Sequence, residues 1–358
     1  MIHFFPRFSK DAASSPMGSA LQALGVPYRI IATDVPQAYA YRLQLLLLGY
    51  PRLAWSALQT AVRSMFGGGP PPDAAVISSD IEALVFAFVR MLPFAARPRL
   101  VFVPFIFTQR ASPALNWARL AYYRFVMRRV SCGICHSVLE VARYQEAFAG
   151  CGVQFVFVPW GSYVPSPAEI MDRAAPLPPG DGLPGVVAAG RSGRDYPTLA
   201  AATEAVSCRL TIICNERAAL SGVVPSARVE VLTATFGVDY LAHLLRADVV
   251  AVPLRVEDIS AGQMVLIQAM ALARPLVVTR TPTVGDYLRD GETALLVPRG
   301  DAVAMAAAIR RLLDDPAAAT AMGRRAQAHY AKTFSADAHL RALVEAIERH
   351  CLEAAQSR

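Results

Sequence analysis

Short apolar runs alternate with amphipathic stretches along the whole chain and fall into two blocks. In the first block the runs predict six strands, at residues 2–8, 28–32, 74–78, 100–106, 133–135 and 155–159. In the second block they predict five strands, at residues 185–190, 210–214, 229–232, 249–254 and 276–279. The runs lack a clean alternation of apolar and polar residues, which is typical of strands that are buried on both faces. We therefore predict an α/β protein with parallel sheets covered by helices.

A proline-rich segment at residues 165–184 separates the two blocks and is predicted to be a linker. A chain of 358 residues also exceeds the size at which one hydrophobic core usually keeps growing. We predict an N-terminal domain at residues 1–164 and a C-terminal domain at residues 185–336.

Composition narrows the class of protein. Hydrophobic residues make up 54% of the chain, which excludes a disordered protein. No apolar run of about 20 residues is free of Arg or Pro, so no transmembrane helix is predicted. The first residues lack the charged and then apolar layout of a signal peptide. The six cysteines are scattered and are expected to be reduced thiols, so we expect a cytoplasmic protein.

Positive charge is concentrated in the first half. Residues 1–165 hold 15 Lys and Arg against 7 Asp and Glu, whereas the rest of the chain is close to neutral. Much of the excess is arginine interleaved with aromatic residues: Arg110, Trp117, Arg119, Tyr122, Tyr123, Arg124, Phe125, Arg128 and Arg129. Such a surface attracts anionic partners, which include nucleic acid, phosphorylated acceptors and acidic lipid head groups. Ordinary solvated arginines explain the same composition, and both interpretations stay open.

Residues 41–66 combine apolar side chains with Arg42, Arg52 and Arg63, and Pro51 interrupts them. A helix lying on an anionic membrane surface has this composition. A pair of core helices explains the same residues, so two interpretations remain here as well.

The stretch from 260 to 301 carries the strongest chemical signal. Ser260 and Gln263 have the spacing of a capping box, which predicts a helix at 264–273 that Pro275 ends. This helix is apolar all round except for Gln268, so we expect it to be buried. A loop of small residues that opens a buried helix between parallel strands is an anion site, because free N–H groups point outward there.

A second signal, Gly-Arg-Ser-Gly-Arg at 190–194, follows the first strand of the second block and opens a helix. The guanidinium groups of Arg191 and Arg194 near a helix N-terminus can neutralise a bound anion without a metal. The alternative is a pair of exposed loop arginines that bind nothing.

The 260–301 stretch resembles the donor-binding motif of family 4-like glycosyltransferases of the GT-B fold, the glycosyl transferases group 1. Ser260 and Gln268 stand where those enzymes carry two glutamates, so the Ser-Ala-Gly-Gln loop at 260–263 is a variant. Three further short motifs match the family and occur in the same order along the chain as in its members. They are Val-Pro-Trp-Gly at 158–161, Ala-Asp-Val-Val-Ala-Val-Pro at 247–253, and Asp-Gly at 290–291 before Leu-Val-Pro at 296–298. The resemblance implies two Rossmann-like domains with parallel sheets facing across a cleft, and a last helix, within 337–358, that crosses back to the N-terminal domain.

The resemblance also implies roles for the residues that match. The diphosphate of a sugar donor is expected at Arg191, Arg194, Ser260, Ala261, Gly262 and Gln263, and its ribose or sugar at Gln268. From their positions after two strands of the second block, we assign the nucleobase to Cys214, Asn215, Thr233 and Thr235.

Catalytic groups are harder to assign. Asp80 and His136 follow predicted strands of the first block, where an acceptor hydroxyl would lie. Equally, Asp80 can cap the helix that begins at Ile81, and His136 can be a core histidine. Thr108, Gln109 and Arg110 occupy the place where many family members carry a histidine. Most of the family retain anomeric configuration without an obvious base, so a retaining transfer is expected.

One motif points to a different chemistry. Cys-Gly-Ile-Cys-His at 132–136 has the spacing of a c-type haem site. It falls in a predicted buried strand and no export signal precedes it, so we interpret it as a chance match. A zinc site would need a second ligand pair at suitable spacing, which the sequence lacks.

We expect a glycosyltransferase that transfers a sugar from a nucleoside diphosphate sugar to a hydroxyl of a glycan, lipid-linked or small-molecule acceptor, in glycan, exopolysaccharide or glycoconjugate synthesis. No metal or other cofactor is expected, no nucleic-acid partner is expected, and an anionic membrane surface is a further candidate partner. Two alternatives remain. A sugar-nucleotide epimerase or hydrolase of the same fold would bind the same donor, and a non-catalytic anionic-surface binding module would bind none.

Overall fold

The computed structural model describes residues 1–4, 21–23, 25, 27–30, 50–66, 72–92, 97–107, 112–177 and 182–352. The chain forms two compact units, Met1–Val158 with Leu340–Arg358, and Pro159–His339. Within the described ranges, no helix combines the length and the apolar character needed to cross a membrane.

The first unit is built on a sheet of six parallel strands. The strands are β1 (Ile2–Phe4), β2 (Tyr28–Ile30), β3 (Ala74–Ile77), β4 (Arg99–Phe102), β5 (Val130–Cys135) and β6 (Gln154–Phe157), in the order β2-β1-β3-β4-β5-β6. The described helices between them are α1 (Tyr50–Phe66), α2 (Asp80–Val89), α3 (Pro113–Met127) and α4 (Val138–Ala147). Every strand pair in this sheet is parallel, as the apolar runs predict.

In the central strands β3 and β4, alternate residues enter separate clusters on the two faces of this sheet. In β3, Ala75 and Ile77 pack with Phe86 of α2, whereas Val76 packs with residues of the other face. That second face is covered by the C-terminal helix, through Leu343, Val344, Ala346 and Ile347. Two-sided burial explains why the strands are mostly apolar.

The second unit contains another six-stranded parallel sheet. The strands are β7 (Gly185–Ala189), β8 (Arg209–Ile213), β9 (Val229–Leu232), β10 (Val249–Val252), β11 (Leu276–Thr279) and β12 (Leu295–Val297), in the order β12-β11-β10-β7-β8-β9. The helices are α5 (Pro167–Arg173), α6 (Tyr196–Glu204), α7 (Gly237–Arg246), α8 (Gln263–Ala271), α9 (Pro282–Gly285), α10 (Ala302–Asp314) and α11 (Pro316–Thr333). Helix α12 (Ala336–Ile347) follows and continues as a π-helix at Glu348–Leu352. The α/β class and the parallel sheets are confirmed.

The order of strands creates a switch point in the second sheet. Strand β7 pairs with β8 on one side and with β10 on the other. The loops that follow β7 and β10 therefore leave the same edge of the sheet next to each other. In open α/β sheets, ligands bind at this point.

Several predicted elements differ in extent. The short strand β12 was not predicted. It follows the turn at 290–294, and Asp290 accepts a hydrogen bond from the Leu296 N–H at 2.9 Å. Strand β5 begins at Val130 rather than at residue 133. The segment predicted as a linker contains α5, where Pro167 occupies the first turn and Ile170 is fully buried in the core of the second unit.

Helix α8, which follows the switch-point loop, is clamped at its C-terminal end by α11. The Gln327 amide of α11 donates to the carbonyl of Ala271 at 2.9 Å. A Cβ atom on Gly323 would lie 2.1 Å from the carbonyl oxygen of Ala273. The two backbones can meet here only because residue 323 is glycine.

Replacing Gly323 with alanine is therefore expected to destabilise the protein, by about 1–3 kcal/mol, because backbone atoms must move to admit the methyl group. The measurement is the free energy of unfolding in denaturant. Gly285→Ala is the matched control, since Gly285 is an exposed residue of helix α9 and a Cβ there meets nothing within 4 Å. It should leave stability unchanged or raise it by roughly 0.5–1 kcal/mol. Equal effects of the two substitutions would contradict the close packing at Gly323.

Candidate functional site

Two loops meet at the switch point of the second sheet. The loop after β7 and the loop after β10 are joined by backbone hydrogen bonds, from the Asp195 N–H to the Pro253 carbonyl at 3.1 Å and from the Arg255 N–H to the Gly193 carbonyl at 2.9 Å. These bonds bring the two sequence motifs, at 190–194 and 260–263, to one place.

The side chain of Arg194 lies buried between the loops, with 3% of its surface exposed. Its Nε donates to the Ala189 carbonyl and its Nη1 to the Ser192 carbonyl, both at 2.8 Å. Among the described residues it forms no ion pair with a carboxylate. Burial lowers the pKa of Arg194, against the opposing influence of neighbouring Tyr196 and Tyr240. A buried cation with no carboxylate partner is costly unless an anion joins it.

The guanidinium of Arg194 fits at this place because residue 190 is glycine. Gly190 has a φ of +100°, and a Cβ on it would lie 2.3 Å from Nη2 of Arg194. The guanidinium thus packs directly on the backbone of residue 190. The hydroxyl of Tyr196 donates to the carbonyl of the same glycine, which fixes the turn from the other side.

Helix α8 begins at Gln263, and its N-cap residue is Gly262 with a φ of +94°. The predicted capping box of Ser260 and Gln263 is wrong, because the left-handed Gly262 starts the helix two residues later than a Ser260 cap requires. Gly262 has no side chain that could cap this helix. The first-turn N–H groups receive no bond from the N-cap residue and suit an external acceptor.

Two further polar groups accompany this helix end. A Cβ on Gly262 would lie 3.7 Å from Nη1 of Arg194, so the guanidinium lies beside the start of α8. Gln263, with 7% of its surface exposed, has an Nε2 atom that makes no hydrogen bond. A guanidinium, an unbonded amide NH₂ and an uncapped helix N-terminus form one group of hydrogen-bond donors, which suits an anion with several oxygens.

The other predicted contacts of the anion lie in the same loops. Arg191 is exposed, Ser260 is half-buried and Ala261 is buried. Gln268, one turn into α8, accepts a hydrogen bond on Oε1 from the Tyr240 hydroxyl at 2.9 Å. Burial raises the pKa of Tyr240, so the phenol keeps its proton and acts as the donor.

Tyr240 and Thr279 were missed by the sequence reasoning. Tyr240 lies on α7, and 28 residues separate it from Gln268, so no local spacing links them. Thr279 ends β11, and its hydroxyl accepts a hydrogen bond from the Leu254 N–H at 2.9 Å, which holds the loop after β10. A polar residue at the carboxyl end of a buried strand was the available signal for Thr279.

The residues assigned to the nucleobase follow two neighbouring strands. Cys214 and Asn215 come after β8, and Thr233 and Thr235 come after β9, with Ile213 and Leu232 in register. Cys214 is buried, whereas Asn215 and Thr233 are exposed. All four thus lie at the carboxyl edge, on the β8–β9 side, and their role stays a prediction.

In the first unit, Asp80 and His136 also lie at carboxyl ends of strands. Ser79 caps α2 by accepting from the Glu82 N–H at 3.2 Å, so the alternative of Asp80 as the cap is wrong. Asp80 is exposed as the first residue of α2. Burial and then the Asp80 carboxylate raise the pKa of nearby Tyr123 to about 12.

His136 is buried, and its Nδ1 lies 2.8 Å from the Val158 carbonyl oxygen. A backbone carbonyl can only accept, so this bond places a proton on Nδ1. The contact favours the alternative of a core histidine with a structural role. Thr108, Gln109 and Arg110 lie outside the described residues.

The Cys-Gly-Ile-Cys-His motif forms the end of β5 and the residue after it. Both Cys132 and Cys135 are buried free thiols, and burial, followed by Glu140, raises the pKa of Cys135. Within the described residues, no three His, Cys, Asp or Glu side chains come close enough together to hold a metal ion.

Part of the second unit is similar to a known family. Residues 194–315 match the model of the glycosyl transferases group 1. The D-inositol 3-phosphate glycosyltransferase of Kineococcus radiotolerans is 40% identical over 124 residues, which are 32% of this chain and 28% of that protein. The match therefore spans little more than a quarter of the curated relative.

Solved structures match over the whole chain. Sucrose-phosphate synthase from Thermosynechococcus elongatus superposes with a TM-score of 0.72 at 21% identity, covering 99% of both chains. Anabaena HepE in complex with UDP superposes with a TM-score of 0.63 at 16% identity, covering 97% of this chain and 99% of that one. At these identities the likeness establishes the fold.

Proposed function

We propose that the protein is a glycosyltransferase using a nucleoside diphosphate sugar. Residues 194–315 match the model of the glycosyl transferases group 1, and the chain has the GT-B fold, which supports this proposal. The single observation that carries the proposal is the buried, carboxylate-free guanidinium of Arg194 beside the uncapped start of α8. A similar protein, Anabaena HepE, has been solved with UDP, which supports a nucleotide donor.

The diphosphate is placed at the group of donors on the two loops. When the sugar leaves, the C–O bond to the diphosphate breaks and the electron pair stays on the phosphate oxygen. Arg194, the first-turn N–H groups of α8 and the Gln263 amide would then meet the growing negative charge. Arg191, exposed in the same loop, supplies a second guanidinium from the solvent side.

The remaining parts of the donor follow from this placement. Gln268, held by Tyr240, lies one turn further along α8 and is assigned to the ribose or sugar hydroxyls. Cys214, Asn215, Thr233 and Thr235 are assigned to the base. The first unit is assigned to a glycan, lipid-linked or small-molecule acceptor. A retaining outcome and a place in polysaccharide or glycoconjugate synthesis complete the proposal.

An epimerase or hydrolase of the same fold would use the same donor site, since fold alone does not determine chemistry. Incubation with nucleoside diphosphate sugars, with and without acceptor sugars, separates the classes by product. Transfer gives a glycoside, whereas hydrolysis gives free sugar and epimerisation gives a new nucleotide sugar. A non-catalytic module would show no stabilisation by any donor.

Loss of either arginine of the loop should weaken binding of the donor. Charge-assisted hydrogen bonds contribute about 1.5–3 kcal/mol, so Arg191→Gln and Arg194→Gln should each raise Kd on the order of tenfold or more. Calorimetric titration with UDP and the other nucleoside diphosphates measures the effect. Arg324→Gln, an exposed arginine of α11, is the control of equal charge change.

Because Arg194 is buried, its substitution can also affect folding. Gly190→Ala tests the same contact by pushing against the guanidinium, and Gly291→Ala controls for left-handed strain, since Gly291 has a φ of +74° with open space around it. Weaker nucleotide binding in Gly190→Ala alone is expected. Unchanged binding in Gly190→Ala and in Arg194→Gln would contradict the site.

Activity should be independent of metal ions, because guanidinium groups and a helix N-terminus take the part of a cation. The initial rate of transfer in excess chelator is expected to equal the rate without it. Full loss of activity that magnesium or manganese restores would argue against this mechanism.

We also propose that an anionic membrane surface carries the acceptor. Helix α1 packs Leu53 and Ala57 inward but exposes Trp55 at 62% and Leu58 at 37% of their surfaces. Pro51 does not interrupt the helix, since it lies in the first turn. The helix has arginines and no acidic residue, as a cytoplasmic protein bound to the inner membrane face would require.

Trp55→Ser with Leu58→Ser should reduce binding to anionic liposomes at low salt by about tenfold or more, since each side chain contributes roughly 1.5–3 kcal/mol when buried. Sedimentation with liposomes is the measurement, and binding should weaken as salt rises. Val224→Ser with Val303→Ser controls for loss of exposed apolar surface elsewhere. If the wild type and both variants stay in the supernatant to the same extent, the membrane proposal is wrong and the acceptor is a soluble molecule.

A further inference from the structure

A large cavity opens at the amino ends of β4, β5 and β6 in the first unit. It has a volume of about 1240 Å³ and is lined by Arg99, Val130 and Gln154, which begin these three strands. His136 follows the carboxyl end of β5, so the cavity lies at the opposite edge of the sheet from the candidate acceptor residues. Neither the donor site nor the acceptor assignment uses it.

Five arginines line this cavity and give it a strong positive charge. They are Arg90, Arg97, Arg99, Arg128 and Arg129. No Asp or Glu belongs to the described residues of its wall, whose remaining titratable groups are Cys151 and His350. A wall that carries several positive charges and no acidic side chain favours an anionic ligand.

Two of the arginines are held in place by the fold. Arg90 donates from Nη1 to the Arg129 carbonyl at 2.8 Å, and Arg129 donates from Nη1 to the Phe125 carbonyl at 2.8 Å. The guanidinium of Arg129 also lies 4.0 Å from the centre of the Phe125 ring. These contacts position the two cations without neutralising them.

The other three arginines keep their hydrogen-bonding capacity. Within the part of the chain that the structure describes, the side chains of Arg97, Arg99 and Arg128 make no hydrogen bond or ion pair. Each guanidinium has five N–H donors in a planar fork that matches the oxygens of phosphate.

The arginines also repel one another. Burial lowers the pKa of Arg90, and the charges of Arg99, Arg97 and Arg129 lower it further. A bound anion would reverse this effect, since an opposite charge stabilises the protonated form. The volume of about 1240 Å³ exceeds what one phosphate ion fills and is larger than the roughly 300–1,000 Å³ of typical ligand sites, so a whole organic ligand would fit.

We propose that this cavity, here named the arginine pocket, binds the phosphate groups of a multiply phosphorylated anion at a site separate from the donor site. The phosphates can belong to a soluble polyphosphate or to the head groups of phospholipids. The guanidinium groups recognise the same chemistry in both cases.

The test compares two double variants of equal charge change. Arg97→Gln with Arg128→Gln removes two exposed arginines of the pocket whose side chains make no hydrogen bond or ion pair with the described residues, so folding should be preserved. Arg341→Gln with Arg324→Gln removes two exposed arginines elsewhere. Calorimetric titration with inorganic tripolyphosphate should show binding to the wild type and the control, and at least about tenfold weaker binding to the pocket variant.

Arg191→Gln distinguishes binding at the arginine pocket from binding at the donor loop. This variant changes only the donor loop, so tripolyphosphate binding at the pocket should stay unchanged. Sedimentation with phosphatidylcholine vesicles, with and without phosphatidylglycerol, distinguishes the sources. If the wild type binds anionic vesicles and the pocket variant does not, the ligand is the phospholipid head group. If the wild type binds tripolyphosphate but not the vesicles, the ligand is a soluble anion. Equal binding by the pocket variant and its control, or no binding of either probe by the wild type, overturns the proposal.

Discussion

One buried cation organises the second unit. Arg194 lies between two loops that leave neighbouring parallel strands, and its accepting partners are the carbonyls of Ala189 and Ser192. Removing a guanidinium from water costs several kcal/mol even after the protein relaxes around it. The surroundings reduce this cost with carbonyl dipoles, but no described carboxylate offsets the charge. The fold thus holds the guanidinium ready for an anionic ligand.

The same constraint explains the residues around the cation. Gly190 is needed because any side chain would occupy the place of the guanidinium, and Gly262 is needed because the chain turns there with a positive φ. Tyr196 closes the turn, and Tyr240 connects α7 to Gln268 on α8. Each of these residues helps to fix the conformation of the loops after β7 and β10. A phosphate ligand would find donors that are already oriented, so little reorganisation accompanies binding.

Local sequence patterns account for much of this architecture. The apolar run at 276–279 coincides with β11, because four consecutive buried residues leave a clear signal. The capping of α8 was predicted wrongly, since a Ser and a Gln at the right spacing do not reveal that Gly262 adopts a left-handed conformation. The burial of Arg194 depends on β7 lying beside β10, and strand order is a property of the whole sheet. The arginine pocket likewise joins residues from three strand ends and the loops beside them, which a linear charge count shows only as a basic first half.

The clamp between α8 and α11 has a mechanical consequence for the anion site. Helix α8 has nine residues and so is about 13 Å long, with Gln327 and Gly323 contacting its far end. A rotation of roughly 10° about that end would displace the first turn by about 2 Å. Hydrogen bonds to phosphate oxygens tolerate only a few tenths of an ångström. The contacts between α8 and α11 therefore fix the orientation of α8. Packing at one end of this helix sets how precisely the N–H groups at its other end are positioned.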